Sequence, residues 1–466
     1  MNLSLDPDRL FPLDPPTRDV ARGLYERVAG LPILSPHGHV APGLLLADEP
    51  FADPAELFIT HDHYVTRMLH AAGIDLADLG VGSTPPVDAR DAWRLLCSNW
   101  HLYYATASGY WLTHELVTLF GIDQEPSAQT ADAIYDAISH HLATPQFRPR
   151  ALFDRFGIEV MATTDDPMDD LSAHAALAAD PSFRGRVLPT FRPDAYLDPT
   201  SPQFFGNVER LTAASGAAVD DFRGYLRALE ERRAYFVDHG AVSADHGVRE
   251  ALTLDLDPTD AAALYRSAVA GTITTEQARV FTGHMLFQMA RMSVADGLVM
   301  TVHPGVYRNH SPATLERFGP DTGHDIPVAI EYTNNLQPLL QAFGLEKDFH
   351  LILFGIDETI YSREVAPLAG FYPSVYIGAP WWFLDAPDAV QRFRSAVTET
   401  AGFYRGAGFI DDTRAFLSIP ARHDMARRSD ATFLARLVRE GRMTLPQAQR
   451  VIIDLVDAIP RKAFKL

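Results

Sequence analysis

Leu31-Pro32-Ile33-Leu34-Ser35-Pro36-His37-Gly38-His39 is a short apolar run that breaks into polar residues. The same grammar recurs seven more times along the chain. Ile158 to Thr163 ends in Thr164-Asp165-Asp166-Pro167, and Arg186 to Phe191 ends in Arg192-Pro193-Asp194. Ala241 to Ala244 leads into Asp245-His246-Gly247, and Leu298 to Val302 into His303-Pro304-Gly305. His350 to Phe354 and Ser374 to Ile377 follow, and Gly408 to Asp411 closes the series with Asp412-Thr413-Arg414. Strands that are apolar throughout and separated by helical periodicity imply parallel pairing with both faces covered. Eight such units predict a closed (β/α)8 TIM-like barrel, read as one domain over 1–466, with its chemistry at the C-terminal strand ends. An open doubly wound sheet would carry a Gly-rich phosphate turn, and neither GxGxxG nor GxxxxGK[ST] occurs.

About 120 residues separate the first two runs, far beyond a usual βα loop of roughly 2 to 6. Asp53 to Ala72 and Asp91 to Phe120 read as helical and are rich in Trp, Tyr, Leu and His. Residues 41–150 are therefore expected to form a helical insertion that acts as a lid over the barrel mouth. Smaller helical excursions are expected over Asp220 to Tyr235 and Pro258 to Met292.

The 466 residues are 47% hydrophobic and carry a formal net charge of -20. Such a surface repels phosphate backbones and anionic membranes, and no run of Lys or Arg offsets it, so neither nucleic acid nor membrane is an expected partner. Only Lys347, Lys462 and Lys465 are lysines. None lies where a buried Schiff-base lysine is expected. A single cysteine, Cys97, excludes an intramolecular disulfide and any Cys-based zinc or iron–sulfur site, and reads as a small core residue. Met1 to Asp14 lacks a basic segment leading into an apolar stretch, so a cytoplasmic location is expected.

His37 and His39 flank one glycine at a strand end, where residues i and i+2 point to the same side and can share a metal. His61 and His63 have the same spacing, but on a helix they diverge by about 200° and cannot share an ion. Barrel closure makes the eighth strand the neighbour of the first, so Asp412 is expected beside His37 and His39, as an open site for a divalent ion. The alternative for Asp412 is a helix cap or a pair with Arg414. His303 reads equally as a further ligand or as a substrate hydrogen bond. Arg192, Arg308 and Arg414 each stand just past a strand end, where a guanidinium can grip a carboxylate in two-pronged fashion. The alternative, an ion pair with a nearby Asp, weighs most for Arg308. An acidic small-molecule substrate follows. Trp381-Trp382-Phe383 reads as packing. His140, His141 and His423 have no assigned role, and the stretch Arg422 to Arg428 reads equally as a surface helix.

In order, His37-Gly-His39, Asp62-His63-Tyr64 with Arg67, Thr164-Asp165-Asp166-Pro167, Leu188 to Asp194, Asp245-His246-Gly247, His303-Pro304-Gly305 with Arg308-Asn309, Trp381-Trp382-Phe383, and Asp412 to Ser418 leading to Arg422-His423 resemble the uronate (glucuronate) isomerases of the amidohydrolase superfamily. The resemblance runs from His37 to about Arg428. It implies interconversion of an aldose and a ketose acid, D-glucuronate to D-fructuronate and D-galacturonate to D-tagaturonate. It implies one divalent metal, usually zinc with manganese as the alternative, on His37, His39 and Asp412. By the same resemblance Tyr64 and His63 act at the substrate's carbonyl end and oxygens, and Arg192 and Arg414 contact its carboxylate or hydroxyls. An enediol route gives Asp412 the part of base and Tyr64 that of proton shuttle. A homo-oligomer is the expected assembly. Ser35, Pro304 and His310 depart from the family pattern.

Two other classes compete. A mononuclear metal-dependent decarboxylase or hydrolase of the same superfamily uses a similar metal set, although no lysine precedes Glu346 to form the carboxylated lysine of binuclear members. A non-catalytic barrel serving as scaffold or binding protein is the second, against which the intact set of His37, His39, Asp412 and Tyr64 argues.

Overall fold

A computed structural model describes residues 2–82, 84 and 86–466 of the chain. Each apolar run of the sequence except the last becomes strand, and each strand is buried because helices cover its outer face. The strands in chain order are β1 (Ile33–Ser35), β2 (Ile158–Ala162), β3 (Arg186–Leu188), β4 (Thr190–Phe191), β5 (Ser243–His246), β6 (Val299–Val302), β7 (Val306–Tyr307), β8 (Ile326–Pro327), β9 (Leu351–Leu353) and β10 (Val375–Ile377). β1-β2-β3 and β4-β5-β6-β9-β10 are two wholly parallel sheets. Val299, Met300 and Val302 of β6 are completely buried, and each such side chain contributes about 1.5–3 kcal/mol of transfer free energy.

Backbone hydrogen bonds continue round the gaps between these sheets. The expected third strand is split at Pro189, which has no N–H for a ladder, and its halves β3 and β4 stay joined through Thr163 N to Leu188 O at 3.0 Å and Asp165 N to Thr190 O at 3.0 Å. On the other side Ala407 N donates to Ile377 O at 2.8 Å and His39 N to Thr413 O at 3.0 Å. The neighbours thus follow the order an eightfold barrel requires.

The expected eighth strand at Gly408 to Asp411 is not one: only a bridge between Ile377 and Gly406 is present there. Gly408 sits at φ +85°, and a Cβ on it would lie 2.8 Å from Pro460 Cβ. Asp412 is also left-handed, at φ 41°. Two left-handed residues four apart break the extended geometry that a ladder needs. A short antiparallel pair, β7 with β8, was not expected from the sequence.

Helical excursions fall where periodicity places them, with finer breaks set by caps. Asp62 accepts from Tyr64 N and starts the helix His63–Ala71, so the expected helix over Asp53 to Ala72 is cut in two, its first part a π-turn at Glu56–Thr60. The helix expected over Asp91 to Phe120 is Ala89–Ser98, capped by Asp88, and Ala107–Thr118, capped by Thr106. Pro258 to Met292 is likewise two helices, Pro258–Val269 and Thr275–Asp296, the second opened by a reciprocal capping box of Thr274 and Gln277. The helices after β1 build their own apolar cluster around Trp93, Leu69 and Phe58, which reaches the barrel at Ile33, Ile158 and Met161. Among the described residues no helix is long and apolar enough to cross a membrane.

Candidate functional site

The C-terminal strand ends open into a cleft of about 560 Å³, within the usual size of a small-molecule site, and His37, His39, His63, Tyr64, Arg192, His303, Arg308, Asp412 and Arg414 all line it. β1 ends at Ser35, so the two histidines lie beyond the strand and not in its alternation. They converge nonetheless. Asp412 Oδ1 is 3.3 Å from His37 Nε2 and 3.0 Å from His39 Nε2. The rings meet edge-on at 85°, and His39 Nδ1 is 2.8 Å from Thr164 Oγ1, which leaves its Nε2 aimed at the carboxylate.

Burial alone would raise the Asp412 pKa, but hydrogen bonds and charge from His37 and His39 hold it well below the carboxylate range. Burial pushes His39 down to about 4. Against the same burial, Asp245 and Asp412 raise His37 above the ordinary imidazole value.

These residues fit a divalent ion. Ligand atoms around a tetrahedral ion at about 2.0–2.1 Å lie roughly 3.3 Å apart, close to the separations here, and the three ligand atoms fall within 4.8 Å of one another. A second group, His37, Asp245 and His303, meets the same criterion. Asp245 Oδ1 is 2.7 Å from His303 Nδ1 and accepts from Thr301 Oγ1 at 2.5 Å. That bond turns His303 Nε2 away from Asp245, and this buried nitrogen has no partner among the described residues. His303 also stacks on Phe354 at 4.1 Å and on His37 at 4.5 Å. This geometry suits His303 to either part, ligand or substrate hydrogen bond.

Asp62 fixes the opposite wall. By capping its helix it places His63 and Tyr64 in the first turn, their rings stacked 4.9 Å apart. Burial and the nearby Arg414 push His63 down to about 4, while burial and Asp412 raise the Tyr64 phenol well above its usual value. Both are therefore neutral at pH 7, and the phenol keeps its proton. Behind Tyr64, the buried Arg422 guanidinium lies 5.2 Å from that ring and 3.5 Å from the Trp111 ring. It donates to Asp385 at 2.7 Å. Arg422 and His423 belong to the helix Ile419–Arg439, whose residues here are buried, so this is no surface helix. His61 is exposed at the end of the preceding turn, and no shared-metal group among the described residues contains it.

Each of the three arginines has a carboxylate partner. Arg192 Nε is 3.0 Å from Asp194 and 3.5 Å from Asp245. Arg308 is 2.8 Å from Asp325, and Arg414 is 3.1 Å from Asp321. Ion pairing was expected chiefly for Arg308 and is present in all three, because a cleft that gathers cations in an acidic protein also gathers nearby aspartates. Trp381 and Trp382 both pack and line the cleft, and Trp382 does so from a left-handed backbone at φ 54°. Asp245, Asp194 and Asp321 were missed as site residues. The first has a sequence signal in its place directly after an apolar run, and the structure draws it into the buried β5, where it must be paired.

Comparison with known proteins gives the family. Residues 13–463 match the family model described as glucuronate isomerase. The uronate isomerase of Corynebacterium efficiens is 54% identical over 461 residues, covering 99% of this chain and 98% of that protein. The crystal structure of glucuronate isomerase from Caulobacter crescentus superposes with a TM-score of 0.97 at 48% identity, over 100% of this chain and 98% of that one. A crystal structure of uronate isomerase from Thermotoga maritima gives a TM-score of 0.92 at 25% identity, over 99% of each chain. With its parallel α/β fold, its strand-end cleft and these matches over nearly its whole length, the chain belongs to the glucuronate isomerase family.

Proposed function

We propose that this chain interconverts aldose and ketose uronic acids, D-glucuronate with D-fructuronate and D-galacturonate with D-tagaturonate, in the cleft around Asp412. The observation that carries the reading is the meeting of Asp412 with His37 and His39 in a cleft lined by Arg192, Arg308 and Arg414. His37, His39 and Asp412 would hold one divalent ion, assigned as zinc with manganese as the alternative, which when bound supplies a Lewis acid for the substrate's oxygens. The arginines hold the carboxylate and hydroxyls, and His303 Nε2 is free to hydrogen-bond the sugar.

Asp412 accepts the proton from C2 as the C1 carbonyl becomes a hydroxyl with a proton from Tyr64. The enediol then returns its O2 proton to Tyr64, and Asp412 delivers its proton to C1. One hydrogen has moved from C2 to C1 and another from O2 to O1, with both side chains restored. His63, stacked on Tyr64, keeps the phenol in place and borders the same oxygens. The 41–150 insertion is read as the lid of this mouth, since it brings His63 and Tyr64 to the cleft, and 1–466 as one domain built round it. A cytoplasmic location accords with a single, buried thiol.

Turnover of uronic acids followed by NMR in deuterated water tests the reading. A ketose product, with activity lost on chelation and restored by zinc or manganese, is expected. Carbon dioxide release without a ketose would assign a decarboxylase instead. Absence of both stoichiometric metal and turnover would leave a binding protein.

A further inference from the structure

We propose that Asp321 is a resident carboxylate that occupies the arginine pair at the cleft mouth until a sugar acid displaces it, and so sets which acids are admitted and how tightly. The inference rests on the reading of this cleft as a uronate site. Two aspartates face the pair, and they differ in kind. Asp325 is a strut: it is buried, its Oδ2 is 2.8 Å from Arg308 Nη1, and its Oδ1 accepts from Asn309 N at 2.6 Å. Asp321 lines the cleft with its side chain 46% exposed, 3.1 Å from Arg414 Nη2 and 4.0 Å from Arg308 Nη1. Among the described residues it is the sole ion-pair partner of Arg414.

The loop that carries Asp321 alternates left-handed residues, with Gly319 at φ +81°, Asp321 at φ 60° and Gly323 at φ +91°. Gly323 is required by close approach as well, because a Cβ there would lie 2.9 Å from Arg67 Cβ. The loop is thus seated against the helix that presents His63 and Tyr64. Its base is tied by His310 N to His324 O at 2.9 Å. A non-glycine residue held left-handed at a ligand cleft is strain that the surroundings must sustain. Here the seat of Gly323 on Arg67 and the tie of His310 to His324 sustain it.

The chemistry is that of exchange. Arg308 is already neutralised by the buried Asp325, so the contact open to exchange is that of Asp321 with Arg414. An incoming carboxylate takes its place on Arg414, and Asp321, whose side chain is 46% exposed, turns its charge to water. A neutral sugar cannot make that exchange, and a small anion without hydroxyls gains too little elsewhere to drive it. Selectivity for acids that also carry a sugar chain follows.

Asp321→Asn is isosteric, and Asn tolerates the left-handed region. Steady-state KM for D-glucuronate and D-galacturonate, and the calorimetric Kd of D-gluconate, an acid with no aldehyde to isomerise, are compared across wild type, Asp321→Asn and the charge-retaining Asp321→Glu. Removal of an exposed competing pair is expected to lower KM and Kd about three- to fivefold, with no gain for neutral D-glucose and none in Asp321→Glu. Asp321→Ser replaces the Asn variant should that fail to fold. Unchanged or raised KM and Kd in the neutral variant, or equal tightening in Asp321→Glu, would overturn the proposal. A wild type that converts no uronate, beside an Asp321→Asn that binds D-gluconate more tightly, would sink the isomerase reading and leave the resident carboxylate standing. Uronate turnover with no tightening would do the reverse.

Discussion

The two ends of the barrel differ in what their cations meet. At the foot, where strands begin, Arg405, Arg427 and Lys465 bind backbone carbonyls, beside ion pairs of Arg461 with Glu159 and Arg233 with Asp296. Arg405 donates to Ala369 O at 2.8 Å and to carbonyls that precede β10. Arg427 donates to Val28 O at 2.8 Å and Pro32 O at 2.9 Å, ahead of β1. Lys465 reaches Gly297 O and Asp348 O at 2.8 and 2.7 Å, ahead of β6 and β9, while its neighbour Phe464 is wholly buried in the large apolar cluster. At the mouth the cations face loop carboxylates, and buried ring nitrogens of His63 and His303 have no partner among the described residues. Buried groups left short of partners in a cleft are the ones placed to meet a ligand. The comparison can be broken by substitutions that disturb the wrong property at either end.

Asp412→Asn has the largest expected effect. The amide cannot act as base, so turnover should fall by roughly three to four powers of ten, or about 4–5.5 kcal/mol at the barrier. The melting temperature should stay near that of the unaltered chain, since the foot is untouched. A variant that keeps a tenth of its turnover would refute the assignment of Asp412 and the division of labour with it.

Phe464→Ala attacks the other end. Removing a fully buried ring costs about 3–4 kcal/mol of stability, to be read as a lower urea midpoint. KM and kcat at a temperature where the variant is folded should be unaltered. A change in kcat/KM there would mean that floor and mouth are coupled.

Arg192→Gln comes third. Losing a charge-assisted hydrogen bond to a substrate oxygen costs about 1.5–3 kcal/mol, so kcat/KM for uronates should drop roughly ten- to a hundredfold. Arg192 also pairs with Asp194 and Asp245, and a matching loss of melting temperature would assign it to structure instead.

The contrast explains what was legible beforehand. The seven strands were readable because a buried parallel strand is apolar throughout, and the encounter of His37, His39 and Asp412 because ring closure makes first and last neighbours. The eighth run failed as a strand because the left-handed turns at Gly408 and Asp412 leave no mark in hydrophobicity. Asp245 announced itself only by its place directly after an apolar run, in the stretch Asp245-His246-Gly247. Asp321 was invisible, since nothing in a loop of Pro, Asp, Thr and Gly says which arginine it will meet. Trp381 and Trp382 were read as packing alone because aromatic bulk serves a core and a cleft equally. Lys465 could be excluded from chemistry by its position but not given its actual task, since the carbonyls it meets belong to loops far away in the chain.

That task supplies the smallest and most discriminating prediction. Lys465→Met keeps the aliphatic stem and deletes the ammonium that bridges Gly297 O and Asp348 O. These contacts are partly exposed, and water can replace them, so the loss should be about 1 kcal/mol, visible as a small drop in urea midpoint. Burial lowers the Lys465 pKa from its ordinary value, with Asp348 and Asp296 opposing that effect. A lowered lysine pKa means that the folded state binds this proton less firmly than the unfolded state does. Its titration therefore subtracts from stability below the folded-state value, and that penalty fades as pH rises through the window between the folded and unfolded values. If the carbonyl contacts outweigh the penalty at pH 7, Lys465→Met is destabilised there. A variant more stable than the parent at pH 7 would show that the foot tolerates its cation instead of depending on it, and the contrast between the ends would then rest on Arg405 and Arg427 alone.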